Sequence, residues 1–414
     1  MRGPLDERVL ALANAPAARL RALVTSAVPE VAPTLTLAVR VRGELVVDLA
    51  VGWADPHEHR SPADPDLRFD VASLTKLVTT TLVLQLVSAG GLALDDPLSR
   101  WLDWFGSPSP RPVDGGQEPL TRVRLPTPRE RRSWLVDPAA VTVRQLLSHT
   151  SGLAPWRSLF DVLGPVPPPP GNIDPVTREE RWATAEAAIR TYPFVDRPGA
   201  SVRYSDLGFI LLGMLAVRLT GRPFDALVRD RVAVPLELGS LVFRPLDVGV
   251  PRTSVVPTSH DRLWRHRRSW GEAEDENATG LGGVAGHAGL FATATDIAAF
   301  GRAWLDGDER LGVGAALRTA ATTTQAETTD DRRGLGWQLR SHDADADATG
   351  MLVPLGLRAF GHTGFTGSSL AVDPDRGMVV ACLTNRVWHG RDNDRVRSFL
   401  PRLHRLLAEA VPAP

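Results

Sequence analysis

The chain has 414 residues, 43% of them apolar and 23% charged, long enough for a large core and two or three structural units. Its formal net charge of −1 excludes a global field that would recruit nucleic acid or an anionic membrane. A single cysteine, Cys382, excludes an intrachain disulfide and fits a reducing compartment.

The N-terminal MRGPLDER places Asp6 and Glu7 where a signal peptide would be basic, and the longest apolar run, LVTTTLVLQLV (77–87), is too short for a membrane span. A cytoplasmic protein is expected. Residues 34–53 alternate apolar and polar around Arg42-Gly43, as in a β-hairpin. A short extended segment, LRFDVA (67–72), leads into a helix from Ser73 to about Ser88, ended by Ala89-Gly90-Gly91. Residues 96–135 are polar and rich in proline and read as a surface insertion. AVTVRQLLSHTSG (140–152) carries a capping box, with Thr142 as N-cap and Gln145 three residues on. Four consecutive prolines at 167–170 exclude helix and strand. Helices follow at 178–190, 205–221 and 223–237. The run DRLWRHRRSW (261–270) is basic and reads as a solvated face.

Beyond residue 280 strands return: GLFAT, LGWQL (335–339), AFGHTG (359–364), SSLAVDP (368–374) and GMVVACLTN (377–385), with helices at 294–305 and 391–411, the latter containing Pro401. The acidic SHDADADATG (341–350) reads as a solvated loop, since it lacks the glycine and glutamate of a calcium loop. Strands at both ends with helices between predict an α+β fold: an antiparallel sheet flanked by helices, built from both termini around a mostly helical insertion. The expected domains are 1–95 with 276–414, and 96–275.

Of 47 basic residues 46 are arginine, and the one lysine is Lys76, in DVASLTKLV (70–78). Arginine stays charged in proteins, whereas lysine can act as a neutral amine when its pKa falls. A position that keeps lysine against such a bias is one where a permanent cation fails. Ser73 stands one helical turn before Lys76, so hydroxyl and amine share a face. Two readings are open: a capping serine beside a snorkelling lysine, or a nucleophile beside its base. Free lysine is neutral in only about one molecule in two thousand at pH 7, so the second reading needs an environment that lowers its pKa. The chain has two tyrosines, Tyr192 and Tyr204. Tyr204 opens an apolar helix and either packs there or relays protons. FGHTGFTGSSL (360–370) adds His362-Thr363-Gly364 on a strand, with Gly364 allowing close approach of a substrate and the Phe365 N–H available to an oxyanion.

Ser73-Leu74-Thr75-Lys76, Tyr204-Ser205-Asp206 and His362-Thr363-Gly364, in that order, resemble the three motifs of the serine β-lactamase and penicillin-binding-protein superfamily. The likeness covers roughly residues 30–400 and is to the class C-like branch, with its DD-peptidases, D-amino-acid amidases and family VIII esterases. It implies an acyl-enzyme on Ser73, a proton network of Lys76 and Tyr204, and an oxyanion hole from the Ser73 and Phe365 N–H groups. Substrate contacts are expected from Asp206, His362, Thr363, Gly364 and Phe365. No metal and no organic cofactor is expected, and the partner is a small ester, amide or peptide, with neither nucleic acid nor membrane. No oligomeric state is specified.

Three departures bear on the activity. Asp206 stands where the second motif usually has Asn; a carboxylate there favours protonated Lys76 and leaves the base role to Tyr204, unless Asp206 itself carries a proton. His362 replaces the lysine of many β-lactamases, and Leu207 stands where class A enzymes have Asn. An ester- or amide-cleaving enzyme on D-amino-acid or cell-wall-derived substrates is therefore expected ahead of a true β-lactamase or a non-catalytic sensor. His57 and His59 have no partner at metal-ligand spacing, and His149 and His287 read as structural. Trp156 either lines the cleft or packs in a loop.

Overall fold

A computed structural model describes residues 3–329, 331–342 and 350–413; the acidic run expected as a solvated loop lies mostly outside them. Nine strands form the largest sheet among the described residues: β1 (Leu5–Leu10), β2 (Thr34–Val41), β3 (Glu44–Gly52), β4 (Ala326–Glu327), β5 (Arg332–Arg333), β6 (Gln338–Leu339), β7 (Phe360–Thr363), β8 (Ser369–Asp373) and β9 (Met378–Thr384). Their order is β1-β3-β2-β9-β8-β7-β6-β5-β4, and every pairing is antiparallel. The sheet thus joins both ends of the chain through the β2–β9 pair, whose register sets Ala38 against Ala381.

Both faces of the sheet are covered, and the period of two sorts the side chains between them. On one face Val380 and Cys382 of β9 and Leu35, Leu37 and Val39 of β2 pack under α1 (Asn14–Ala27) and the last helix, Val396–Ala410. That helix runs on through Pro401. On the other face Val379, Ala381 and Leu383 join a larger core with α2 (Thr75–Ser88), α3 (Asp206–Thr220) and α4 (Ala294–Asp306). The terminal helix is α5.

Several expectations need correction. The N-terminal segment supplies an edge strand and a helix that were not expected. LGWQL is a strand only at Gln338–Leu339, and the pairs at 326–327 and 332–333 were not expected. Residues 96–135 are more than a surface insertion: Leu98, Leu102, Phe105 and Val113 are buried in the larger core. Within 96–275, α-helix is found at Val143–Leu147, Arg178–Ile189, α3 and Phe224–Val228 with the π turn that continues it, and the remaining helical residues are short 3₁₀ turns; prolines keep much of the rest irregular. The basic run 261–270 belongs to a hairpin that keeps Arg262 and His266 solvated but, against expectation, turns other arginines toward the protein. Arg265 is buried, donating to Ser269, Thr279 and the Glu274 carbonyl, and Arg267 is held by Glu272. The capping box at Thr142 and Gln145 is present as expected.

Candidate active site

Ser73 lies in a 3₁₀ turn, Ala72–Leu74, immediately before α2. The preceding Ala72 has φ +46°, a left-handed conformation that disfavours a residue with a Cβ. Asp70 holds it there: its carboxylate accepts the Ala72 N–H at 2.8 Å and the Glu274 N–H at 2.6 Å. Burial pushes the Asp70 carboxyl up to about 7 against the pull of those two donors. Thr366, in the turn after β7, donates to the Asp70 carbonyl at 2.7 Å. The turn carrying Ser73 is thereby tied to the sheet.

The end of β7 passes directly over that turn. A Cβ on Gly364 would sit 2.6 Å from the Val71 carbonyl oxygen. The glycine expected to admit a substrate is required first by the chain's own backbone. Among the described residues, neither the Ser73 nor the Phe365 N–H is taken by a backbone carbonyl.

Lys76 is 0% exposed. Its Nζ donates to Ser73 Oγ at 2.9 Å and to the His287 carbonyl at 3.0 Å, and pairs with Asp206 Oδ1 at 2.8 Å. Burial works to lower its pKa, but Asp206 and Tyr204 outweigh it and the net shift is upward. At rest this lysine is an ammonium. Asp206 occupies the first turn of α3, behind the Ser205 N-cap, so the short motif sets the phenol and the carboxylate on either side of the amine.

Tyr204 is partly exposed at the same point, with Lys76 Nζ 4.9 Å from its ring centroid. Burial raises its pKa more than Lys76 lowers it, so it too is protonated at rest. The ring lies against His149 at 4.5 Å, His362 at 5.7 Å and the Arg333 guanidinium at 5.3 Å. His149 Nδ1 accepts the Ser205 N–H at 3.0 Å, which fixes the backbone beside Tyr204. His362 Nδ1 meets the Thr363 carbonyl at 2.7 Å, the geometry of an Nδ1–H donor. Burial, with Arg333 and Lys76 nearby, holds both imidazoles well below 6.5 and uncharged at neutral pH. His362 is not a cation for a substrate.

These groups open on a cleft of about 800 Å³ lined by Ser73, Trp156, Tyr204, Arg333, His362 and Phe365 among others. Trp156 both packs and lines it. Thr363 and Gly364 border it, with Asp206 at its floor. The sequence reading took His149 and His287 as structural and gave Arg333 no role, yet all three border the site. His287 presents its carbonyl to Lys76 and its ring to the cleft, and its Nε2 meets Asp275 at 2.9 Å. His149 stacks on Tyr204, and Arg333 supplies a cation. Only the short glycine-flanked runs SHTSG and AGHAG hinted at the histidines. Among the described residues no cluster of three or more His, Cys, Asp or Glu is placed to hold a metal, and no single helix is long and apolar enough to cross a membrane.

A sheet covered on both faces, with a Ser-x-x-Lys turn at the cleft floor and a tyrosine at its wall, is the architecture of a class of serine hydrolases. A family model described as Beta-lactamase matches residues 20–399, and the chain belongs to that family. It is 29% identical over 334 residues to a protein of Escherichia coli O157:H7 with a provisional D-alanyl-D-alanine carboxypeptidase name, covering 77% of this chain and 69% of that one. Among solved structures, a penicillin-binding-protein homologue from Caulobacter crescentus superposes with a TM-score of 0.66 at 21% identity, covering 98% of this chain and 100% of that one. A D-stereospecific amidohydrolase from Streptomyces gives 0.60 at 23% identity, with 89% and 94% covered.

Proposed function

We propose that Ser73 is the nucleophile of an esterase or amidase that works through an acyl-enzyme on D-amino-acid or cell-wall-derived substrates. The observation that carries this reading is the 2.9 Å contact between Ser73 Oγ and the chain's one lysine, in an open cleft beside Tyr204. Ser73 Oγ attacks the substrate carbonyl, and its proton passes through the Lys76–Tyr204 pair to the departing alcohol or amine. Water then cleaves the ester on Ser73 by the reverse proton path. The Ser73 and Phe365 N–H groups hold the developing oxyanion.

With Lys76 and Tyr204 both protonated at rest, the cluster must lose one proton before it can accept that of Ser73. Its titration belongs to the group as a whole. Arg333, over the Tyr204 ring, is the cleft arginine beside the proton network and the cation we assign to a substrate carboxylate, a role that the neutral His362 cannot fill. The names of the E. coli relative and the Streptomyces neighbour favour D-configured substrates. A non-catalytic sensor would have no need to bury a lysine against a serine at an open cleft. Lone, buried Cys382 suits a reducing compartment, in keeping with a cytoplasmic site of action.

Incubation with a fluorophosphonate or a penicillin, followed by mass spectrometry, should place one adduct on Ser73. A folded wild-type chain that takes up neither reagent overturns the reading. Turnover of p-nitrophenyl esters, nitrocefin and D-Ala-D-Ala peptides then ranks esterase, β-lactamase and peptidase.

A further inference from the structure

Residues 114–125 form a compact hairpin over the mouth of the cleft. Glu118 and Val123 share a backbone hydrogen bond, as do Gly116 and Leu125, and Gln117 bridges to Arg124. Its root is fixed, since the Gln117 side chain exchanges hydrogen bonds with the Ser158 N–H and hydroxyl. Its tip lines the cleft through Glu118, Pro119 and Leu120, and Leu120 is 50% exposed. An exposed apolar side chain lining the same cleft as Ser73 is placed to meet a substrate bound there.

One tie reaches from the tip to the opposite wall. Arg122, in a left-handed conformation (φ +60°), donates through Nη2 to Glu276 Oε1 at 3.1 Å. Glu276 is only 2% exposed, and the same oxygen also takes Arg391 Nη1. Arg391 in turn lies over the Phe365 ring at 5.0 Å. A buried carboxylate shared by two guanidiniums is a strong, geometrically specific anchor. Removing Arg122 leaves Glu276 paired with Arg391, so the hairpin is released while the wall behind it keeps its ion pair.

We propose that the 114–125 hairpin is a specificity element, latched by Arg122 and Glu276, that selects substrates whose apolar group is long enough to reach Pro119 and Leu120. This rests on the cleft being the acyl-transfer site. The test compares kcat/KM of wild type, Arg122→Ala, Leu120→Ala and Glu276→Gln in two series: p-nitrophenyl esters from acetate to octanoate, and acetate esters of ethyl to octyl alcohols. In at least one series the long-to-short ratio should fall by about tenfold or more in Arg122→Ala and in Leu120→Ala, the loss expected when an apolar contact is removed. Adding Arg122→Ala to Glu276→Gln should lower the ratio by less than the sum of the two single effects, since the two share the Arg122–Glu276 tie, although Glu276→Gln also loosens Arg391 and Arg122→Ala also removes the guanidinium over the Phe160 ring. Ratios equal to wild type in both single variants, or long and short substrates losing equally, overturn the latch. Leu120 is exposed, so its variant carries the test if Arg122→Ala fails to fold. A wild type that turns over no ester and forms no Ser73 adduct overturns the reading of the cleft instead.

Discussion

Asp206 pairs with Lys76 at 2.8 Å inside the protein, on the same ammonium that donates to Ser73 Oγ. An asparagine at that place could hold the amine by a hydrogen bond without adding charge. The carboxylate does more: together with Tyr204 it outweighs burial and holds Lys76 in its charged form. The lysine that the sequence marks as a place for a titratable amine is thus, in the resting protein, fully protonated. Catalysis through this cluster therefore calls for an alkaline limb in the pH profile.

Asp206→Asn should move that limb toward lower pH. The sign follows from the charge: the carboxylate raises the lysine's pKa, so its loss lowers it and frees the amine earlier. A kcat/KM profile measured from pH 5 to 11 reads the shift, and a limb that stays in place or moves to higher pH contradicts it. Stability obeys the same linkage. A lysine raised above its ordinary 10.5 by a partner contributes stability that is fully present below that value and is lost as pH rises through the folded-state pKa. Wild type should therefore melt above Asp206→Asn at pH 8, with the gap closing only in strongly alkaline solution.

Lys76→Arg retains the charge and removes the titratable amine. Loss of a positioned acid–base group lowers kcat by about 10²–10⁴-fold, and a decrease in that range is expected here at every pH. Melting curves and acyl-enzyme trapping by mass spectrometry should accompany the rate, since the wider guanidinium must enter a fully buried space. An Arg variant within about tenfold of wild type would show that no neutral amine is needed and would leave Tyr204 alone as the base.

Much of this site was legible because the composition is so biased. One lysine among 47 basic residues and two tyrosines in the chain made Lys76 and Tyr204 conspicuous. The long strands β2 and β3 were legible by their alternation around Arg42-Gly43, and β8 and β9 as short apolar runs between turn residues. Two-residue strands such as β4 and β5 carry no period at all. Arg333 sits on one of them and is one arginine of 46, so neither pattern nor rarity singled it out. Glu274, Asp275 and Glu276 drew no reading from the sequence, yet Glu274 and Glu276 are buried and the run binds Asp70, His287, Arg122 and Arg391. Those partners lie far away in the chain and become neighbours only in the fold.

Gly364→Ala should damage activity more than its size suggests. The new Cβ would stand 2.6 Å from the Val71 carbonyl oxygen and 3.3 Å from the Ala72 Cβ, against the turn that presents Ser73. Neither backbone can give way cheaply, because Asp70 and Thr366 lock them together. Overpacking of this kind costs about 1–3 kcal/mol, and a misplacement near 1 Å lowers rates by about 10²-fold. Thermal melting and kcat on p-nitrophenyl acetate measure both. An unchanged rate would mean that the Ser73 turn and β7 move independently.

Arg333→Gln separates recognition from chemistry. The Arg333 Nε donates to Asp331 at 2.9 Å, and its guanidinium faces the cleft over the Tyr204 ring. A charge-assisted bond from such a group to a carboxylate contributes about 1.5–3 kcal/mol, roughly 10- to 150-fold in affinity. If Arg333 meets a substrate carboxylate, KM for a D-Ala-D-Ala peptide should rise by such a factor in the variant. The KM for the same peptide amidated at its C-terminus should hardly move, because no carboxylate is present to be lost. Both substrates share the scissile bond, so a general disturbance of Tyr204 would lower kcat for the two alike. Losing the guanidinium also removes a charge that depresses His149 and His362, so both should titrate closer to 6.5 in the variant. The comparison is therefore best made at pH 8 or above, where either imidazole is neutral with or without Arg333. Equal KM changes for the free and amidated peptides would show that Arg333 supports the Tyr204 wall and that the carboxylate is bound elsewhere.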